Sequence, residues 1–447
     1  MSVKIKIKPI HILYICIAAF CMKLMEIKVK SFISNPLMLF YIISTIGMCG
    51  MVLYTLEKNK DFDYYKKKNR TNKYFEIVVG LLIFYYLLFG IFLVDYNLIQ
   101  YVNPTLFYNL FFLIFIFFVS RFIYKYDLMY KFVNIAYLCI AFFLGICFIQ
   151  NFDGFQVLKH LSGIFVSFDR YSNAYGLYHK NALGNISLCL LLLSFYISVY
   201  KKYILNHPKS IIDHIRNLYN VIIFTMLLAS GSRSSLTGFL AFLLLYFCMS
   251  IVTGIKNKKI KYSTYFIIAS SIIFIYIFPN DLFNIFLEIS NRGLNFTRNL
   301  PVLFESGRCL VGIGLINPGL FGNGTLWSST FYVDNYYLYV LMSTGVIGAI
   351  IVLLIFILLF ISIIKINKVN RNIRNCVMCI FIVDLYVGLF ETSVINALFP
   401  SCFIYLVIIL YSIQCSNIQD VKEISKVNVS MINEKEKRIN KYCNTYI

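Results

Sequence analysis

Between Asp334 and Lys365 the chain carries no charged side chain, and the run YYLYVLMSTGVIGAIIVLLIFILLFISII fills almost all of that interval. About 20 apolar residues in a helix cross the hydrocarbon core of a bilayer, so a run of this length constrains the fold more than any other feature. Comparable runs recur along the chain. A spanning barrel strand would be about half as long and would alternate apolar with polar residues; these runs do neither. Hydrophobic residues make up 60% of the 447 and charged residues only 14%, more apolar surface than soluble cores of this size hide. The expected fold is therefore an all-α polytopic membrane protein. Windows of spanning length predict about twelve transmembrane helices, near residues 10–27, 37–56, 75–94, 105–120, 132–150, 181–200, 218–230, 235–254, 262–278, 336–364, 375–390 and 397–413. The N-terminal arm and first run have the outline of a signal peptide. However, no small-x-small cleavage site follows, and Lys23 and Glu26 close the run, so a retained first helix is expected.

Charge tests the same count by another route. The 41 lysines and arginines against 20 acids give a formal charge of +21. In a soluble protein that surplus would suggest nucleic acid; in a polytopic one, short basic loops mark the cytoplasmic side. Most of the basic residues fall in alternate connections: Lys4 to Lys8, 57–73, Arg121 to Lys131, Lys201 to Arg216, 256–261, Lys365 to Arg374 and the tail. The pattern predicts a cytoplasmic-membrane protein with both termini inside and leaves no reason to invoke nucleic acid. Lys23, Lys28 and Lys30 flank the first helix, where long side chains are expected to snorkel to the interface.

Seven cations then stand against the topological rule: Lys159, Arg170, Lys180, Arg233, Arg292, Arg298 and Arg308. They lie in three outer segments, 151–180, the tight SGSRSS turn, and 280–335. The last is the longest loop, and loops of that length are usually functional. In it Asp281, Asn284, Glu288 and Asn291 recur at helical spacing opposite Leu282, Phe283, Ile285, Phe286 and Ile289. That spacing predicts an amphipathic helix on the outer surface, ended by Arg292 and Gly293. The chain reads as one domain over 1–447, with the large outer loop at 280–335 and a basic cytoplasmic tail at 414–447.

A guanidinium fork matches phosphate oxygens, so an anionic lipid head group or lipid-linked diphosphate is the economical partner for these arginines. Local pairing is the alternative: Arg170 with Asp169, Arg298 with Glu288, Arg308 with Glu305. Arg233 has no acid near it in ASGSRSSLTG, at a depth where unpaired charge is costly. The outer Tyr, Phe and Trp327 suit either sugar faces or the interfacial aromatic belt. Candidate acids and bases are His160, His179, Asp153, Asp169, Glu305 and Asp334. Asp334 precedes a span, where it would serve as a helix cap or as a carboxylate held at a helix N-terminus. The pair Cys376 and Cys379 lacks a second pair or a histidine, and neither a zinc-protease motif, a phosphate-binding glycine loop nor a serine nucleophile elbow occurs. Neither metal nor cofactor is expected.

Three segments in order, GLYHKNALGN (176–185), ASGSRSSLTGFL (229–240), and SNRGLNFTRNL followed by VGIGLINP and VDNYYLYVLMSTGVIG (290–348), resemble the O-antigen polymerase and O-antigen ligase superfamily, which includes capsular and exopolysaccharide polymerases. The resemblance implies a glycosyltransferase of the helical, lipid-phosphate-dependent type, with a GT-C-like architecture. Its donor would be an undecaprenyl-diphosphate-linked oligosaccharide and its acceptor a sugar hydroxyl. By matching motif, Arg233 and Arg292 would bind and stabilise the leaving diphosphate, and Asp334 would take or orient the acceptor proton. Arg170 and Lys180 would hold a second diphosphate, and His179, Asn181, Arg298, Arg308 and Asn335 would line the substrate site. Ligases of the family tend to have His where this chain has Asp334, which favours polymerase. Ligation onto another acceptor, or a lipid-linked oligosaccharide flippase, remains open, as does a chain-length regulator as a further partner beside membrane lipids.

Overall fold

The computed structural model describes residues 7–28, 36–58, 73–95, 99–151, 174–177, 179–208, 210–254, 292–315, 333–366, 371–396 and 399–415. Among them there is no strand. The helices are α1 (Pro9–Lys28), α2 (Pro36–Lys58), α3 (Lys73–Leu87, closed by a π turn at Leu88–Phe92), α4 (Ile99–Lys125), α5 (Met129–Gln150), α6 (Lys180–Tyr203), α7 (Ile211–Ala229), α8 (Arg233–Gly254), α9 (Arg292–Glu305), α10 (Tyr336–Ile364), α11 (Arg371–Val387) and α12 (Pro400–Cys415). Eight are long and apolar enough to cross a membrane: α2, α3 with its π turn, α4 to α8, and α10. The chain is a multi-pass helical membrane protein. The expected window at 262–278, the 281–291 amphipathic segment, Arg170 and the tail beyond Cys415 lie outside the described residues.

Two helices form the centre. Every residue of α6 from Ala182 to Ser194 is buried, and so is α12 from Pro400 to Gln414. Around them, α6 packs against α5, α7, α8 and α11, while α12 packs against α4, α11 and α10. A helix apolar on all sides belongs in a protein core or in lipid, and α12, which lacks a charged residue, is enclosed by its neighbours. The rim shows the reverse. Large side chains such as Phe142, Ile149, Ile211, Leu218, Leu244 and Leu53 point outward, as expected where the solvent is lipid.

Two sequence expectations change here. Lys23 does not snorkel: it is 1% exposed, with its ammonium 4.2 Å from the centre of the Tyr108 ring on α4. Burial on the bundle side of α1 brings it to an aromatic face, which replaces part of its lost hydration. Arg216 lies inside α7, not in a loop. It is buried and paired with Asp213 at 2.8 Å, which also binds Lys201 and caps α7 through Ser210. The capping box begins the helix at Ile211, seven residues before the expected start.

The helix α10 is broken at Gly345, whose φ of 62° and ψ of −166° leave the helical region. The segment that follows α9 fills the break. Ile313 N–H donates to Met342 O (3.1 Å) and Gly314 N–H to Ser343 O (2.7 Å). On the other side, Val346 N–H donates to Cys309 O (3.0 Å) and Ile347 N–H to Leu310 O (3.1 Å). The two severed helical pairs, Met342 with Val346 and Ser343 with Ile347, are thus bridged by the inserted backbone. Unpaired amide groups in apolar surroundings are costly, so a break at this position persists only with such replacement.

Candidate functional site

His179, Lys180, Arg233 and Asp334 lie at the end of the bundle where α6, α8 and α10 begin. His179 caps α6: its Nδ1 accepts from Asn181 N–H at 3.1 Å. Partial burial, and then the neighbouring Lys180 ammonium, hold its imidazole below the usual histidine range. The Asn181 side chain faces the other way and donates through Nδ2 to Glu391 Oε1 at 2.5 Å. Glu391 is buried in the turn after α11, where Thr392, Ser393 and Asn396 are also buried. That turn continues to α10: Asn335 donates through Nδ2 to Leu389 O (2.8 Å), and Tyr336 N–H donates to Gly388 O (2.8 Å).

Asn335, not Asp334, caps α10, accepting from Leu338 N–H at 2.9 Å. Its oxygen holds the helix and its nitrogen the 388–391 turn, so it positions the site. Asp334 is thereby released from capping and stands beside the positive helix end. It accepts a short hydrogen bond from Asn295 Nδ2 on α9. Asn295 is buried, and its Oδ1 has no donor among the described residues. Arg292 opens α9 one turn earlier and does not end a helix; Gly293, expected as a stop, lies in that first turn. The Arg292 side chain is outside what is described.

On the other flank, Gly184 of α6 packs against the serine turn before α8. A Cβ at that position would sit 2.8 Å from Ser232 Oγ and 2.9 Å from Ser235 Oγ, so only glycine allows this approach. Ser235 Oγ donates to Asn185 Oδ1 at 3.0 Å. Arg233 is half-buried at the start of α8, and its Nε is buried with no acceptor among the described residues. A continuous set of contacts therefore runs from Arg233 through α6, Glu391 and Asn335 to Asp334 and Asn295.

Arg298 is exposed on α9. Arg308 is committed to backbone: its Nε donates to Gly312 O (2.7 Å) and its Nη2 to Leu93 O, and it does not pair with Glu305. It latches the inserted segment to the end of α3. Arg308→Ala is expected to lower stability by about 2–4 kcal/mol, since charge-assisted bonds to two otherwise unpaired carbonyls are lost. Diphosphate affinity per folded molecule should stay within about twofold, since stability and binding away from the latch add independently. Thermal unfolding beside ligand titration measures both, and a selective loss of affinity would return Arg308 to the ligand site.

Glu391, Asn295 and Asn185 carry no topological signal, and sequence reasoning passed over them. The acid in LFETSVIN, next to Thr392 and Ser393 and flanked by apolar residues, was the available clue. Scanned against models of known protein families, the chain matches none, and a search of curated proteins finds no match.

Proposed function

We propose that the protein is a membrane glycosyltransferase that polymerises oligosaccharide repeat units carried on undecaprenyl diphosphate, for a surface polysaccharide, at the outer face of the cytoplasmic membrane. In this reading about twelve helices span the bilayer in a GT-C-like arrangement, both termini are cytoplasmic, and the end where α6, α8 and α10 begin faces outward. One observation supports the reading: Arg233 has no acidic partner among the described residues, yet stands in one contact network with a carboxylate, Asp334, placed beside a helix N-terminus.

The chemistry asks for those two poles. As the glycosidic bond to the diphosphate breaks, negative charge grows on the departing oxygen, and a fixed guanidinium stabilises that charge more than the ground state. The acceptor hydroxyl must lose a proton as it attacks the anomeric carbon. Asp334 is the base, and Asn295 Oδ1, a buried acceptor lacking a donor, orients a neighbouring sugar hydroxyl. Arg292 joins Arg233 on the diphosphate. Lys180 and Arg170 hold the acceptor's own lipid carrier, with His179 and Asn181 at the threshold of α6 and Arg298 on the exposed face of α9.

Reconstitution tests the reading. Purified protein in vesicles, given lipid-linked repeats only on the outer leaflet, should lengthen them into polymer without nucleotide sugar or ATP. A flippase would leave them unextended and move them inward, and a ligase would join them only to a foreign acceptor. Either result would overturn polymerisation.

A further inference from the structure

The hydrogen-bond ledger at the junction of α6 and α8 does not close. Ser232 Oγ donates to Ser235 Oγ at 3.0 Å, and Ser235 passes its own proton to Asn185 Oδ1 at 3.0 Å. Ser234 lies 3.2 Å from Ser232, whose proton is already engaged, so Ser234 is the donor in that pair. The hydroxyl protons thus run in one direction, from Ser234 through Ser232 and Ser235 to the Asn185 carbonyl oxygen. What remains is donors alone. Among the described residues, Asn185, 5% exposed, has no acceptor for its Nδ2, and the buried Arg233 Nε has none either. A buried donor without an acceptor costs about 1–3 kcal/mol. Two of them beside the first turn of a helix, where backbone N–H groups also point outward, form a site short of acceptors only.

A ligand that repairs this must accept hydrogen bonds, donate none and tolerate positive potential. We infer that Asn185 and Arg233, over the Ser232–Ser235 turn, seat one phosphate group of a diphosphate, with Asn185 Nδ2 as a direct ligand to a phosphate oxygen. Gly184 keeps Asn185 and the serine turn together, since any side chain there would push the turn off α6. The inference rests on the reading that this end of the bundle handles a lipid diphosphate, and it names a ligand residue that the outer arginines alone did not indicate. The same chemistry would accept inorganic pyrophosphate or a prenyl diphosphate.

Binding, not turnover, is the test. Full-length protein in detergent is titrated with inorganic pyrophosphate, with farnesyl diphosphate and with farnesol, and the unfolding midpoint is followed. Stabilisation by both diphosphates assigns the site to the phosphate group; stabilisation by farnesyl diphosphate alone assigns it to a head group seated with its chain; farnesol should do nothing. Asn185→Asp is the decisive variant. Its carboxylate still accepts from Ser235, so the serine turn keeps its hold on α6. The lost donor and added repulsion should weaken diphosphate binding about 10- to 100-fold. Ser235→Ala serves as a second variant should Asn185→Asp not fold, and binding should fall there as well. Wild-type protein indifferent to both diphosphates, or Asn185→Asp binding them undiminished, would overturn the assignment. Because no glycan transfer is measured, a failed polymerisation assay leaves this result standing, and the reverse also holds.

Discussion

Gly345→Ala should cost on the order of 3–5 kcal/mol and leave little folded protein in detergent. Two effects combine. Gly345 has a φ of 62°, where an L side chain is disfavoured, and a Cβ there would lie well under 3.0 Å from the backbone of Cys309 and Leu310. The obstacle is main chain, which cannot rotate away. Gly312 meets the same interface from the other side, its Cβ position well under 3.0 Å from Ser343, Thr344 and Gly345. Each alanine alone expels the inserted segment and strands the four replaced backbone bonds. The double variant Gly312→Ala/Gly345→Ala should therefore be little worse than either alone, because both break one shared contact. Unfolding midpoints and monodispersity of the purified variants measure this. A Gly345→Ala protein with a wild-type midpoint would mean that the segment does not sit in the break.

This device also marks where sequence reading stops. Spans announce themselves through length and absence of charge, properties that need no partner; the expected windows on described residues fall on helices, eight of the described helices being long and apolar enough to cross a membrane. Arg233 was legible because it breaks a topological rule, and a missing acid is visible in a sequence. The Gly345 break was not, since glycine is ordinary in membrane helices and its reason is a backbone some thirty residues earlier in the chain. Lys23 was misjudged for a related reason. Its distance from the helix end suggests snorkelling, whereas the face it occupies, toward Tyr108, depends on how α1 and α4 pack. Asn185, Asn295 and Glu391 are polar groups whose meaning lies in partners on other helices. Within a window they only lower the apolar score; across the bundle they join the site.

Arg233→Ala should reduce polymer formation about 100- to 1000-fold, the usual loss when a donor that stabilises developing charge is removed. Its unfolding midpoint should barely move. Among the described residues Arg233 forms no ion pair and its Nε satisfies no acceptor, so alanine deletes a charge without orphaning a partner there. That separates it from Arg308, whose loss releases two carbonyls, and from Arg216, whose loss leaves Asp213 with one fewer partner. Arg233→Lys keeps the charge but not the planar fork and should fall between wild type and alanine. Polymer made from lipid-linked repeats in vesicles, measured beside the unfolding midpoint, distinguishes the outcomes. Polymer of normal length and rate from Arg233→Ala would remove the guanidinium from the reaction. A midpoint that falls together with activity would make Arg233 a structural support of the α6–α8 junction.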